Sequence, residues 1–396
     1  MRMTQLKTIA DIQTGPFGSQ LHKEDYVETG TPIVTVEHLG NRVFTEQNLP
    51  RVSDSDKARL IKYTLSTGDI VFSRVGSVDR CSYVDKSHDG WMFSGRCLRV
   101  RPTELVDSLY LYYYFCLEET KQFVRNIAVG ATMPSINTKL LGEVEIALPD
   151  LNNQKRIAAV LSSLDDKIEN NQKLNDNLYA QAKATTKQWI SKSTGDYELL
   201  PLSDIASINP DTYSPKETWK YVNYLDTSSI TEGCIAEIQH ITPSSEKLPS
   251  RARRKIAPND IVFSTVRPNQ RHYGIISEPL PNMLGSTGFA VIRSKNPLVC
   301  NELIYLCLTE NEFIEKMQQL AEQSTSTFPS IKPSDLGVCE IPCPKDQSST
   351  SFTETLKSLF ALIAANQREN ISLSEIRDVL LPKLMSGGID VSDIQL

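Results

Sequence analysis

Two short loops hold the side chains best suited to hydrogen-bond recognition. Arg74-Val75-Gly76-Ser77-Val78-Asp79-Arg80 follows the apolar run Asp69-Ile70-Val71-Phe72-Ser73. Thr265-Val266-Arg267-Pro268-Asn269-Gln270-Arg271-His272-Tyr273 follows Asp260-Ile261-Val262-Phe263-Ser264. Arginine, asparagine, serine and tyrosine reach both phosphate oxygens and base edges, so these loops suit nucleic-acid contact. Within them Arg74, Ser77, Arg80, Arg267, Asn269, Arg271 and Tyr273 are the candidates. The alternative is a pair of solvated hairpin tips. The densest basic cluster, Arg251-Ala252-Arg253-Arg254-Lys255, either grips phosphates through Arg251, Arg253 and Arg254 or is a solvated charge run. Lys23, beside the Gly15–Gly18 turn, and Arg96 complete the set.

Catalytic motifs are missing. An adenine methyltransferase needs Asn/Asp-Pro-Pro-aromatic to hold the target amino group, and Ser207-Ile208-Asn209-Pro210 lacks the second proline and the aromatic. No glycine-rich phosphate loop of the GxGxxG or GxxxxGK[ST] type occurs. Pro149-Asp150 followed by Asp165-Asp166-Lys167 matches the nuclease pattern PD…DxK loosely. The competing reading puts Asp150 in a turn and Asp165 on a helix surface.

The elements that position the loops occur twice. Ala131–Pro149 reads ATMPSINTKLLGEVEIALP and Ser326–Pro344 reads STFPSIKPSDLGVCEIPCP, aligned without a gap 195 residues apart. The D-I-V-F-S run repeats at an offset of 191, and LKTIADI at Leu6 returns as LSDIASI at Leu202. Each half mixes short β-like runs with turns and has one helical stretch, Ser108–Asn126 or Asn301–Gln323, so each reads as a compact α+β domain. A duplication this long makes a pseudo-twofold molecule, which suits duplex DNA.

A long amphipathic helix follows each domain. Its 4-3 seam runs Ile157, Leu161, Leu164, Ile168, Asn171, Asn175, Leu178, Ala182, Thr185 and Trp189 in the first copy. In the second it runs Phe352, Leu356, Leu359, Ile363, Asn366, Asn370, Leu373, Arg377, Leu380 and Leu384. Such seams make coiled coils, and roughly 35 residues give a helix of about 50 Å. The best partner for each helix is its own repeat, paired antiparallel so that Asn175 faces Asn366. Asparagines on a seam fix register; alternatively they lie one step off it, with Leu174 and Ile371 turned inward. The second copy begins without the NQKRIAAVL pattern of Asn153–Leu161.

Composition bounds the rest. The chain has 396 residues, 40% hydrophobic and 23% charged, which is ordinary for globular domains. Its net charge of −6 is not that of a basic nucleic-acid tail, so DNA binding needs local basic faces and help from a partner. Eight cysteines form no CxxC pair and read as reduced thiols of a cytoplasmic protein. Five scattered histidines make a zinc site improbable.

These features together resemble the DNA-specificity subunit of type I restriction–modification systems. Gly130-Ala131-Thr132-Met133-Pro134-Ser135-Ile136-Asn137 is similar to the segment leading into that family's central helix, LLPKLMSGGI at Leu380 to its C-terminal signature, and TGPFGSQL at Thr14 to a common opening of a recognition domain. The resemblance implies an α+β fold with internal pseudo-twofold duplication: two similar target-recognition domains, separated and joined by two long helices in an antiparallel coiled coil. The expected domains are 1–150, a central helix 151–195, a second domain 196–345, and a helix with tail 346–396. It further implies a non-catalytic chain that reads a split double-stranded DNA target. Two modification subunits would methylate adenine with S-adenosylmethionine, and restriction subunits would use ATP and Mg, so no cofactor or metal belongs to this chain itself. The competing functions are a self-contained methyltransferase or nuclease, and a coiled-coil scaffold without DNA contact.

Overall fold

The computed structural model describes residues 2–18, 20–192, 195–214, 216–324, 328–392 and 394, with the side chain of Lys23 outside the description. The chain forms two compact units, residues 1–170 with 369–396 and residues 171–368. Each unit holds one α+β domain and half of each long helix, so the unit boundary falls inside the helices.

In the first unit, strand Arg2–Gln5 pairs antiparallel with Glu145–Leu148 and ties the two ends of the domain together. A four-stranded antiparallel sheet is ordered Ala10–Thr14, Cys97–Pro102, Ile70–Ser73, Cys81–Tyr83. A second sheet is ordered Tyr26–Val27, Arg51–Val52, Thr31–Val34, Met92–Phe93, and its last pair is parallel. The second unit repeats this plan. Tyr197–Pro201 pairs with Glu340–Pro344. One sheet runs Ala206–Ile208, Phe289–Ser294, Asp260–Ser264, Tyr273–Ile276. The other runs Gln239–Ile241, Val222–Leu225, Met283–Ser286, Ala252–Lys255, and here the parallel pair is central because the extra edge strand lies on its far side. The sequence duplication is therefore a duplication of fold.

Each single helical stretch expected from the sequence is two helices. Ser108–Cys116, capped by the Asp107 carboxylate on the Tyr110 N–H at 2.9 Å, stops at Leu117, and Glu118–Ile127 follows. Leu117 is extended, with φ −58° and ψ 133°, and this breaks the helical ladder. In the second unit the break lies at Thr309 and Glu310, between Asn301–Leu308 and Asn311–Glu322.

The long helices are Leu151–Lys192, 42 residues, and Thr350–Met385, 36 residues. The second starts from a 3-10 turn, Gln347–Ser349, with the Asp346 carboxylate accepting from the Ser348 N–H at 2.8 Å. That local cap does the work of the missing NQKRIAAVL start. The helices pair antiparallel in both units. In the first, Arg377 binds Asp165 at 2.8 Å and Lys167 faces Glu369 at 3.2 Å. In the second, the Asn366 Nδ2 donates to Asn175 Oδ1 at 2.8 Å, and Trp189 stacks on Phe352 with centroids 4.5 Å apart. The asparagines lie on the seam: Asn171 is buried, whereas Leu174 and Ile371 are exposed. Near the end of the first helix, Thr186 is the buried seam residue and Thr185 is half-buried, one step from the expected register.

Candidate nucleic-acid interface

Both domains build the same support under their candidate loops. The D-I-V-F-S strands begin at buried carboxylates, Asp69 and Asp260. Asp69 accepts a two-pronged bond from Arg101, both contacts 2.7 Å, and the Ser66 N–H at 2.8 Å. Asp260 accepts the same from Arg293, at 2.7 and 2.8 Å, and the Ala257 N–H at 2.8 Å. A buried carboxylate is tolerated only when paired in this way. Asp260 and Asp211 hold the Arg293 guanidinium well above its ordinary value despite burial. The strands end at Ser73 and Ser264, whose hydroxyls bond the carbonyls of Val75 at 2.7 Å and Val266 at 2.9 Å, turning the chain into the loop.

The Pro-Ser-Ile repeat staples that loop in place. In the first domain the Ile136 N–H donates to the Arg74 carbonyl at 2.9 Å and the Gly76 N–H to the Pro134 carbonyl at 2.8 Å. In the second, the Ile331 N–H donates to Thr265 and the Arg267 N–H to Pro329, both at 2.9 Å. Residues that look like a linker motif in the sequence are thus the loop's backbone partners. Ser326 and Thr327, at the start of the second copy, lie outside the described residues.

On this support the expected contact residues divide. Arg74 lies over the Phe17 ring at 4.6 Å and donates to the Gly95 carbonyl at 3.1 Å. The TGPFGSQL turn reaches it because Gly15 and Gly95 let two backbones touch: a Cβ at Gly15 would lie 2.1 Å from the Ser94 carbonyl oxygen, and one at Gly95 2.3 Å from that of Pro16. Ser77 and Arg96 are exposed, and the Arg96 guanidinium has no partner among the described residues. Arg80 is turned back, its guanidinium bonded to the Leu39 carbonyl beside Gly40. In the second domain Arg267 is exposed, with a left-handed backbone (φ 47°) and its guanidinium 4.9 Å from the Phe328 ring. Asn269 is exposed and takes the Gln318 carboxamide on its N–H at 3.3 Å.

Other expected residues have internal work. Arg271 is held by Glu232 and Asn311, both at 2.9 Å. Tyr273 is not a surface residue. It is 4% exposed, stacks on Phe263 and meets Tyr305 edge-on, and burial pushes its phenol up to about 12. It opens the strand Tyr273–Ile276 and its ring faces the core. The basic cluster is no free run but the edge strand Ala252–Lys255. Arg251 is exposed, with its guanidinium against Gly288. Arg253 bonds the Ser250 carbonyl at 3.2 Å. Arg254 is half-buried and held below its ordinary value by that burial, and its Nε is buried without a partner among the described residues. The expectation for Lys23 concerns a side chain outside the described residues.

The nuclease alternative finds no support. Asp150 caps the central helix, accepting the Asn153 N–H at 3.0 Å. Asp165 lies fifteen residues further on, about 22 Å of helical rise away, so the two cannot share a metal. Nor is Asp165 on the helix surface as expected. It is 6% exposed and accepts from Tyr113 Oη at 2.7 Å and from Arg377 at 2.8 Å. The sequence reading missed three exposed apolar side chains around the loops: Phe17, Met133 and Phe328. The repeat alignment pairs Met133 with Phe328 and was the available signal for two of them.

The fold and loops together define a duplicated recognition chain, with one stapled polar loop per domain and two paired helices. Comparison with known proteins agrees. Residues 1–180 match the family described as the Type I restriction modification DNA specificity domain. The chain is 26% identical to the type I restriction enzyme MjaIX specificity subunit of Methanocaldococcus jannaschii, over 74% of this chain and 72% of that one. It is 22% identical to the HindI specificity subunit of Haemophilus influenzae, over 83% and 88%. The crystal structure of a type I restriction-modification S subunit from M. genitalium covers 97% of this chain and 95% of its own at TM-score 0.59 and 17% identity, which shows a shared fold. The chain is thus similar along most of its length to specificity subunits of type I restriction–modification systems, and its first 180 residues match their DNA specificity domain.

Proposed function

We propose that this chain selects a split DNA sequence for a type I restriction–modification complex, each α+β domain reading one half-site. The observation that carries this is the repeated staple. The same strand, turn and Pro-Ser-Ile clamp support a loop in both domains, while the presented side chains differ: Arg74, Ser77 and Arg96 in one, Arg267 and Asn269 in the other. A common frame with divergent tips is what two different half-sites require. Arg74 and Arg267, each poised on an exposed aromatic ring, are the arginines best placed for bases or phosphates. Arg251, Arg253 and Arg96 are assigned to phosphates, where arginine gives affinity without sequence information.

In this reading the chain performs no chemistry. It acts in the cytoplasm with two modification subunits that methylate adenine using S-adenosylmethionine, and with restriction subunits that use ATP and Mg. The antiparallel helices set the distance between half-sites. The test is methylome sequencing of a host carrying the complete system, with wild-type chain and with Arg267→Ala. The wild type is expected to return a motif of two fixed halves and an unread spacer. The variant is expected to lose fidelity or methylation through one half only, by roughly 10–100-fold at the affected position. A continuous motif, or equal loss in both halves, would count against the proposal.

A further inference from the structure

Beside the loops stand two exposed apolar side chains. Met133 is 62% exposed and Phe328 54%. A single exposed apolar side chain needs no explanation. These two occupy the same position of the repeat, 195 residues apart, immediately before the proline of the staple. Both tips are tied to their loops. In the first domain Val129 and Ser135 exchange backbone bonds of 2.9 and 2.8 Å, closing a tight turn around Met133. Gly130 permits it, with φ +113° and the position of a Cβ only 2.6 Å from the Met133 carbonyl oxygen. In the second, the Pro329 carbonyl next to Phe328 is fixed by the Arg267 N–H, and the Arg267 guanidinium lies 4.9 Å from the Phe328 ring. Each tip is therefore an exposed apolar point tied to an arginine-bearing loop.

Resting on the DNA-recognition reading above, we infer that Met133 and Phe328 are wedges that enter the base stack of the bound duplex, one in each half-site. Methionine and phenylalanine are among the side chains that separate base steps in duplexes kinked by proteins. Adjacent cations favour duplex DNA over an apolar protein surface as the occupant, because a phosphate backbone satisfies Arg74 and Arg267 while the step receives the apolar side chain. A wedge also lets a half-site be selected by how readily its step unstacks, at positions no polar side chain touches.

The test uses the complex of this chain with its modification subunits on its own duplex, with 2-aminopurine placed singly at positions other than the methylated adenine. Binding of the wild type is expected to raise the fluorescence severalfold at one step in each half-site. Met133→Ala is expected to abolish the rise in the half read by the first domain only, and Phe328→Ala in the other half only, each weakening specific binding about tenfold. Met133→Leu and Phe328→Leu are expected to keep both signals. Sequence-specific binding by the wild type with every step still stacked would overturn the wedge and leave the recognition reading intact. Alanine variants that keep signal and affinity, or that lose the modification subunits instead, would overturn it as well. Absence of any sequence-dependent binding by the wild type would overturn the recognition reading, and the wedge with it.

Discussion

Replacing Asp165 with alanine separates a structural carboxylate from a catalytic one. Asp165 joins three segments of the first unit: its own helix, Tyr113 of the helix Ser108–Cys116, and Arg377 of the C-terminal helix. The Tyr113 bond is short, at 2.7 Å, and buried on both sides, so losing a charged acceptor there costs about 1.5–3 kcal/mol. The Arg377 side chain is 30% exposed. Water replaces much of its lost partner, and roughly 1 kcal/mol is assigned to it. The sum is about 2.5–4 kcal/mol. For a unit of this size it lowers the midpoint of thermal unfolding by about 5–16 °C. Differential scanning calorimetry of the full chain measures it, and a double-mutant cycle with Tyr113→Phe isolates the buried bond. Asp166→Ala is the control: its side chain is 55% exposed opposite Arg42, and a change under about 2 °C is expected. Equal effects of the two substitutions, or no coupling to Tyr113, would refute the reasoning. DNA cleavage by the chain that vanished with Asp165 would revive the nuclease reading.

Two further outcomes follow from the helices. Asn175→Leu with Asn366→Leu removes the 2.8 Å seam bond and is expected to raise the denaturant midpoint while adding new oligomers on gel filtration with light scattering, because the asparagines hold register at a cost in stability. A single species of unchanged mass would show that register is set elsewhere. Adding one heptad between Ile168 and Asn171 and one between Asn370 and Leu373 keeps the seam in phase and adds about 10 Å of rise. Methylome sequencing is expected to show both half-sites unchanged and the spacer longer by about three base pairs.

Repeats and period made much of this architecture legible. The D-I-V-F-S runs and the gapless Pro-Ser-Ile copies marked the duplication, because core and backbone constraints bind both copies equally. The loop staple that the Pro-Ser-Ile copies form was not legible, since its bonds join residues about 60 positions apart. The 4-3 pattern marked both long helices and placed Asn175 opposite Asn366. What was not legible depended on partners distant in sequence. Tyr273 reads as a loop tyrosine, yet Phe263 and Tyr305 turn it into core. Arg271 looks free until Glu232 and Asn311 meet it from elsewhere in the chain. Asp165 falls on the polar side of a simple seam and is buried only because Tyr113 packs over it. The arginines at 253 and 254 gave no strand signal, since an edge strand with half-exposed side chains lacks the alternation that identifies a buried one. Composition pointed to arginines and overlooked Phe17, Met133 and Phe328, because apolar residues are read as core by default.

The central claim is that each domain reads its own half-site, and exchanging one domain tests it most directly. Residues 1–150 are replaced by the matching domain of a relative whose methylated motif is known, and the host genome is sequenced for methylation. Independent cores and independent stapled loops predict a hybrid motif: the half contributed by the exchanged domain changes, while the other half and the spacer stay as they were. A motif altered in both halves, from a complex that assembles and methylates normally, would contradict the account.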